Sequence, residues 1–250
     1  MGSKESDECI GALVRNGLEL KHIKDQTPEI CIEAVKQNGM ALQYVKSQTA
    51  EICLAAVKEN GLALQYVKHQ TPEMCILSVK QNGLALKYVK DETEEIALGA
   101  VKQNGFALRF VKNQTPTVSV TAINQNGRAI YYLKLQAPSI NMLAIRKDGM
   151  ALEFIQKQTE ELCFEAVRRN GMALKYVTDQ TELICMTAVK QNGNALDYVI
   201  NQTEAICIEA VKQYGCAIQY VKNQTYNICL HAVKQNGYAL SYVNEQTGGI

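Results

Sequence analysis

The side chains in this sequence that could carry chemistry recur at fixed intervals, and the intervals limit what they can do. Eight of the nine cysteines, Cys9, Cys31, Cys53, Cys75, Cys163, Cys185, Cys207 and Cys229, are separated by 22 residues or a multiple of it. Zinc sites and redox dithiols draw on closely spaced pairs such as Cys-x-x-Cys, and none is present. If each cysteine holds the same place in a stacked repeat, neighbouring copies lie about 8–10 Å apart, beyond the roughly 7 Å limit on Cα separation in a disulfide. The expectation is a file of buried free thiols acting as small apolar residues, with no metal and no cofactor. Such thiols belong in a reducing compartment, the cytoplasm.

Lysine follows the same rule. One file contains Lys36, Lys58, Lys80 and Lys102, and a second contains Lys46, Lys68, Lys90 and Lys112. Parallel basic files can track a phosphate backbone. The first file also falls in the last turn of a candidate helix, where a cation complements the negative end of the dipole. The whole chain carries 26 Lys plus Arg against 25 Asp plus Glu, so no net field draws it to nucleic acid or an anionic membrane. His22, His69 and His231 occupy three different places in the period and form no cluster that could act as a base. No phosphate loop or nucleophile motif stands out, and an enzyme is not expected.

Recognition by a repeat protein resides where its repeats differ. The places of Met40, Gln43 and Ser47 are three and four residues apart, so on a helix they share a face, and they vary from copy to copy. Phe106, Arg109, Arg128, Tyr131, Leu135 and Met150 fall on this stripe in the middle of the chain, and Arg and Tyr are enriched at binding hot spots. They are the candidate partner-binding residues.

The elements that must position these groups follow from the period. Repeats start at residues 9, 31, 53, 75, 97, 119, 141, 163, 185, 207 and 229, after a polar lead over 1–8. No linker interrupts the register, so 9–250 reads as a single domain. Thr27-Pro28-Glu29 supplies an N-cap oxygen, a proline at the first helical position and an early carboxylate. Paired apolar residues at 30, 31, 34 and 35 continue a helix to Asn38-Gly39, where glycine is expected to take the left-handed conformation. A second helix carries Ala41, Leu42, Tyr44 and Val45 to the next cap. Asn-Gly also favours hairpins, but paired rather than alternating apolar residues argue for helices. The expected fold is an all-α solenoid of eleven 22-residue helix-turn-helix repeats, with Ala34 permitting close approach and Ile32, Val35, Leu42, Tyr44 and Val45 buried against the next repeat.

The recurrent Val-Lys-Gln-Asn-Gly-x-Ala-Leu-x-Tyr core, as in Val35 to Tyr44, resembles the helical repeats of domain of unknown function 4116 over essentially the whole chain. That resemblance implies a helical repeat array and a host-facing interaction role, and it brings no catalytic residue.

Three functional classes follow. The first is a scaffold that binds a protein partner along an extended surface; the second is a nucleic-acid binder using the lysine files; the third is a spacer with no specific ligand. No run of apolar residues is long enough to span a membrane, and no secretory leader is visible. Glu19 and His22 put polar groups in the first repeat where later ones have alanine and an aromatic, as suits a cap, whereas Leu230, Ala239 and Tyr242 keep the internal pattern in the last. Self-association through the C-terminal repeat is therefore a further expectation.

Overall fold

The computed structural model describes residue 11 and residues 13–244; the polar lead, Cys9 and the final Thr247 to Ile250 lie outside the described residues. The fold is an all-α solenoid with no strand among the described residues. Among the described residues, ten complete α-helices of ten residues each alternate with eleven 3-10 helices of six. The α-helices are α1 (Pro28–Gln37), α2 (Ala50–Glu59), α3 (Pro72–Gln81), α4 (Glu94–Gln103), α5 (Pro116–Gln125), α6 (Pro138–Lys147), α7 (Glu160–Arg169), α8 (Glu182–Gln191), α9 (Glu204–Gln213) and α10 (Tyr226–Gln235). The 3-10 helices run from η1 (Gly17–His22) and η2 (Gly39–Tyr44) at the same 22-residue interval to η11 (Gly237–Tyr242). By contact the repeats form two compact units, one ending at Gln125 and taking in Tyr132–Lys134, the other made of Asn126–Tyr131 and the residues from Leu135 onward.

Each α-helix starts as its sequence requires. Thr27 Oγ1 accepts from the Ile30 amide, Pro28 needs no donor partner, and Glu29 faces the positive end of the dipole. Its end differs from the expectation. Asn38 is extended, with φ −150° and ψ 106°, rather than leading into a left-handed glycine. The same Asn38 then caps η2, its Oδ1 accepting from the Met40 amide at 3.0 Å, so one side chain joins the two helices without a separate turn.

Glycine is needed for a different reason. A Cβ at Gly61 would stand 2.5 Å from the carbonyl oxygen of Ser78 and 2.8 Å from Gln81 Oε1, both in the following repeat. Any side chain there would push two repeats apart, and the same close approach recurs at Gly127, Gly149, Gly171 and Gly193.

The second helix is a 3-10 helix, not an α-helix. Six residues rise about 12 Å as 3-10 but only about 9 Å as α, so the tighter form better matches a ten-residue α-helix of about 15 Å. Residues three apart are eclipsed in such a helix, which places Met40 over Gln43 and Ala41 over Tyr44. Val45 leaves the helix after its amide bonds Leu42 O at 3.1 Å. Long 3-10 runs are uncommon in isolation. Here Ala41 and Leu42, both fully buried, hold the run in place through the core.

The core repeats the places of Ile30, Cys31, Ala34, Val35, Ala41, Leu42 and Val45 in most copies, although Ile140 is half-buried and Leu240, in the last copy, is exposed. Ile32 and Tyr44, expected to be buried, are only half-buried. Ile30, at the first turn of the helix, fills the inward place instead.

Candidate interaction surfaces

The uniform polar residues are committed to neighbouring repeats. Gln48 Nε2 donates to Tyr66 O at 2.8 Å, while its Oε1 accepts from the Lys68 amide at 3.0 Å and from Cys53 Sγ at 3.6 Å. Each linker glutamine thereby satisfies backbone groups that the 3-10 helix and bend leave open. Glu92 replaces glutamine once and still accepts from the Lys112 amide, at 3.0 Å. A second bond joins the glycine to the next α-helix, as in Gly83 N to Gln103 Oε1 at 2.7 Å.

The cysteines among the described residues are free and buried. Burial raises the thiols of Cys31 and Cys53 above their ordinary range. Burial, with Asp179 and Glu160 nearby, raises Cys163 to about 11. These groups remain protonated near neutrality and donate weakly to glutamine.

The two lysine files have different fates. In the second, Lys46 Nζ donates to Lys24 O at 2.7 Å, Lys68 to Lys46 O at 3.4 Å, Lys90 to Lys68 O at 2.8 Å and Lys112 to Lys90 O at 2.9 Å. Each ammonium clamps the backbone one repeat earlier. In the first file, Lys36 pairs with Glu33 at 2.9 Å. Lys58, Lys80 and Lys102 are exposed.

The residues of the varied stripe fall on both units. In the first unit, half-buried Phe106 meets Tyr132 edge-on at 6.1 Å, and the Arg109 guanidinium lies 4.3 Å over the Phe110 ring. In the second, Tyr131 is 62% exposed and packs edge-on to Phe154 at 5.1 Å. Leu135, 84% exposed, lies in the bend after the 3-10 helix ends at Tyr132. It therefore does not share a helical face with Arg128 and Tyr131, because the second helix is shorter than its sequence pattern suggests.

Arg128 is not a free arginine. Its Nε lies 3.2 Å from Asp148 Oδ2, an ion pair whose N–H is not aligned as a hydrogen bond. Asp148 stands where all other repeats but that of Tyr214 have the asparagine cap, and its Oδ1 accepts from the Met150 amide at 2.8 Å. Sequence reasoning passes over Asp148, although an acid at a place that is asparagine in most repeats, in the repeat after an unusual arginine, is a visible signal.

The family model of Domain of unknown function (DUF4116) matches seven overlapping stretches: 27–70, 49–92, 71–114, 138–183, 159–202, 181–225 and 203–246. The chain belongs to this family. Between residues 27 and 246 the matches leave 115–137 uncovered, the stretch where Ser119, Asn124 and Ala137 depart from the repeat. No curated protein and no solved structure matches the chain. No helix of the described residues is long and apolar enough to cross a membrane.

Proposed function

We propose that this DUF4116 chain is a non-enzymatic scaffold that binds a protein partner, through the varied exposed residues of its 3-10 helices and the bends that follow them. The observation that supports this reading is the exposure of Tyr131 and Leu135, large apolar side chains, in a repeat whose uniform places are filled by packing and inter-repeat hydrogen bonds. Arg109, stacked on Phe110, offers a further anchor on the other unit. Buried thiols favour a reducing compartment, and the family resemblance suggests a host-facing setting.

Nucleic-acid binding has less support, because the Lys46 file already donates to backbone carbonyls. The test pairs capture from nuclease-treated extract with a gel shift on arbitrary DNA and RNA. Expected is a retained protein that is lost when Tyr131→Ala and Leu135→Ala are combined, with no shift. Retention indifferent to these substitutions would contradict the reading. A shift that weakens steeply with salt would replace it with the nucleic-acid one.

A further inference from the structure

Four of the five complete α-helices of the first unit, α1 to α4, carry one pattern that the packing does not use; α5, with Thr117, Val120 and Asn124 at the same places, does not. Each presents an acid, a large apolar residue and a lysine at i, i+3 and i+7: Glu29, Ile32 and Lys36; Glu51, Leu54 and Lys58; Glu73, Ile76 and Lys80; Glu95, Leu98 and Lys102. Such spacing puts the three on one helical face, with acid and lysine about 10 Å apart along the axis. The acids and lysines are exposed and the apolar residues half-exposed. Between α1 and α2 these residues line an open groove that includes Ile32, Leu54, Glu51 and Lys58, and the groove between α3 and α4 repeats it with Leu98, Lys80, Lys102 and Glu95.

The face is thus three parallel stripes, acidic, apolar and basic, crossing four helices in the same order. A partner must present the stripes in reverse order at the same repeat spacing. A second copy of this face does so when related by a twofold axis running along the apolar stripe. The axis keeps the apolar stripe on itself, brings each basic file opposite the partner's acidic file, and sets facing helices antiparallel. An axis at right angles to it would set acid against acid.

We infer that the α-helix face of the first unit is a self-complementary dimer surface, with Leu54, Ile76 and Leu98 meeting their copies and Lys58, Lys80 and Lys102 opposite Glu51, Glu73 and Glu95. Four helices of about 15 Å at about 9 Å spacing give a patch on the order of 500 Å² per copy in projection, near the lower bound of specific interfaces. Association should therefore be reversible and weakened by salt. It involves other residues than the protein-binding surface proposed above, and either can fail alone.

The experiment is a charge exchange read by light scattering, with circular dichroism as the folding control. Wild-type chain should be dimeric at high concentration. One variant carries Lys58→Glu, Lys80→Glu and Lys102→Glu, and the other Glu51→Lys, Glu73→Lys and Glu95→Lys. Each alone should fall to half the wild-type mass with unchanged helix content, and their equimolar mixture should return to the dimer mass. A monomeric wild type, dimers that survive either set, or a mixture of two folded variants that stays monomeric would overturn the inference. So would dimers abolished instead by Leu230→Glu and Tyr242→Glu in the last repeat. If either set unfolds the chain, Leu54→Gln with Ile76→Gln serves in its place, and a folded dimer then contradicts the proposal.

Discussion

The amide of Gly61 donates to Oε1 of Gln81, twenty residues on and one repeat later, at 2.6 Å. The glutamine also returns a bond, its Nε2 donating to Glu59 O at 2.8 Å. Glycine and glutamine are therefore one device for holding repeats in register. Gly61→Ala should destabilise by about 2 kcal/mol or more, since the new methyl meets a backbone oxygen and forces the repeats apart. Gln81→Ala should cost about 1 kcal/mol by leaving a part-buried amide unmet. Gly237→Ala, where nothing among the described residues lies within 4 Å of the added carbon, is the near-neutral control. Urea unfolding of the three variants checks the order.

Helix α6 is marked as the weakest of the second unit. Ala137 provides no cap to it, and Asn141, at the cysteine place, is buried with its Oδ1 unpartnered. Ala137→Thr should add about 1 kcal/mol, and Asn141→Cys a comparable amount by removing an unmet polar atom. Hydrogen exchange should show α6 amides opening before those of α8 in the native chain and equalising in the double variant.

The cysteines supply a kinetic prediction. With Cys163 and Cys207 both at about 11, the thiolate fraction near neutrality is about a hundredfold or more below that of an exposed cysteine. Read site by site from labelled peptides, thiol reagents should modify Cys163 and Cys207 slowly in the native chain and at least about a hundredfold faster in the urea-unfolded chain. Fast labelling at these two sites in the native chain would mean that their sulfurs are not buried.

Acid should act on α7. Hydrogen bonds from Arg168, and then from Arg169, hold Glu165 down to about 2, against a burial effect in the opposite direction. Its folded pKa lies below the unfolded value near 4.5, so its stabilisation is full above that value and is lost as pH falls toward about 2. Glu165→Gln should flatten this part of the acid dependence. The effect at neutral pH should be small, because both arginines are exposed and solvent screens the pairs.

Much of this architecture was legible in the chain because the signals recur. Thr27, Pro28 and Glu29 mark a helix start by local chemistry alone, and the cysteine file is read correctly once its 22-residue spacing is set against disulfide geometry. Other features depend on contacts between repeats. Ala41, Leu42 and Tyr44 suit an α- or a 3-10 helix equally, and the 3-10 form, with its greater rise per residue, follows from matching the length of its α-helical neighbour. The requirement for glycine at Gly61 comes from a carbonyl seventeen residues later, not from its own torsion angles. Lys46 looks like a free cation until its ammonium is found on Lys24 O. The repeat spacing places Leu135 with Tyr131 on one helix, but that helix ends at Tyr132.

The central claim is that uniform places hold the scaffold while the varied, exposed places bind. It is tested most directly by a substitution scan scored in parallel for folding and for retention of the captured protein. The account predicts two separate classes. Changes at Gly61, Gln81 and Gln48 lower folding stability, and retention only as a consequence, whereas changes at Arg109, Tyr131 and Leu135 leave stability intact and reduce retention at least about tenfold, as expected for anchors worth more than about 1.4 kcal/mol. If retention follows folding at every position, with no substitution separating the two, the claim is contradicted.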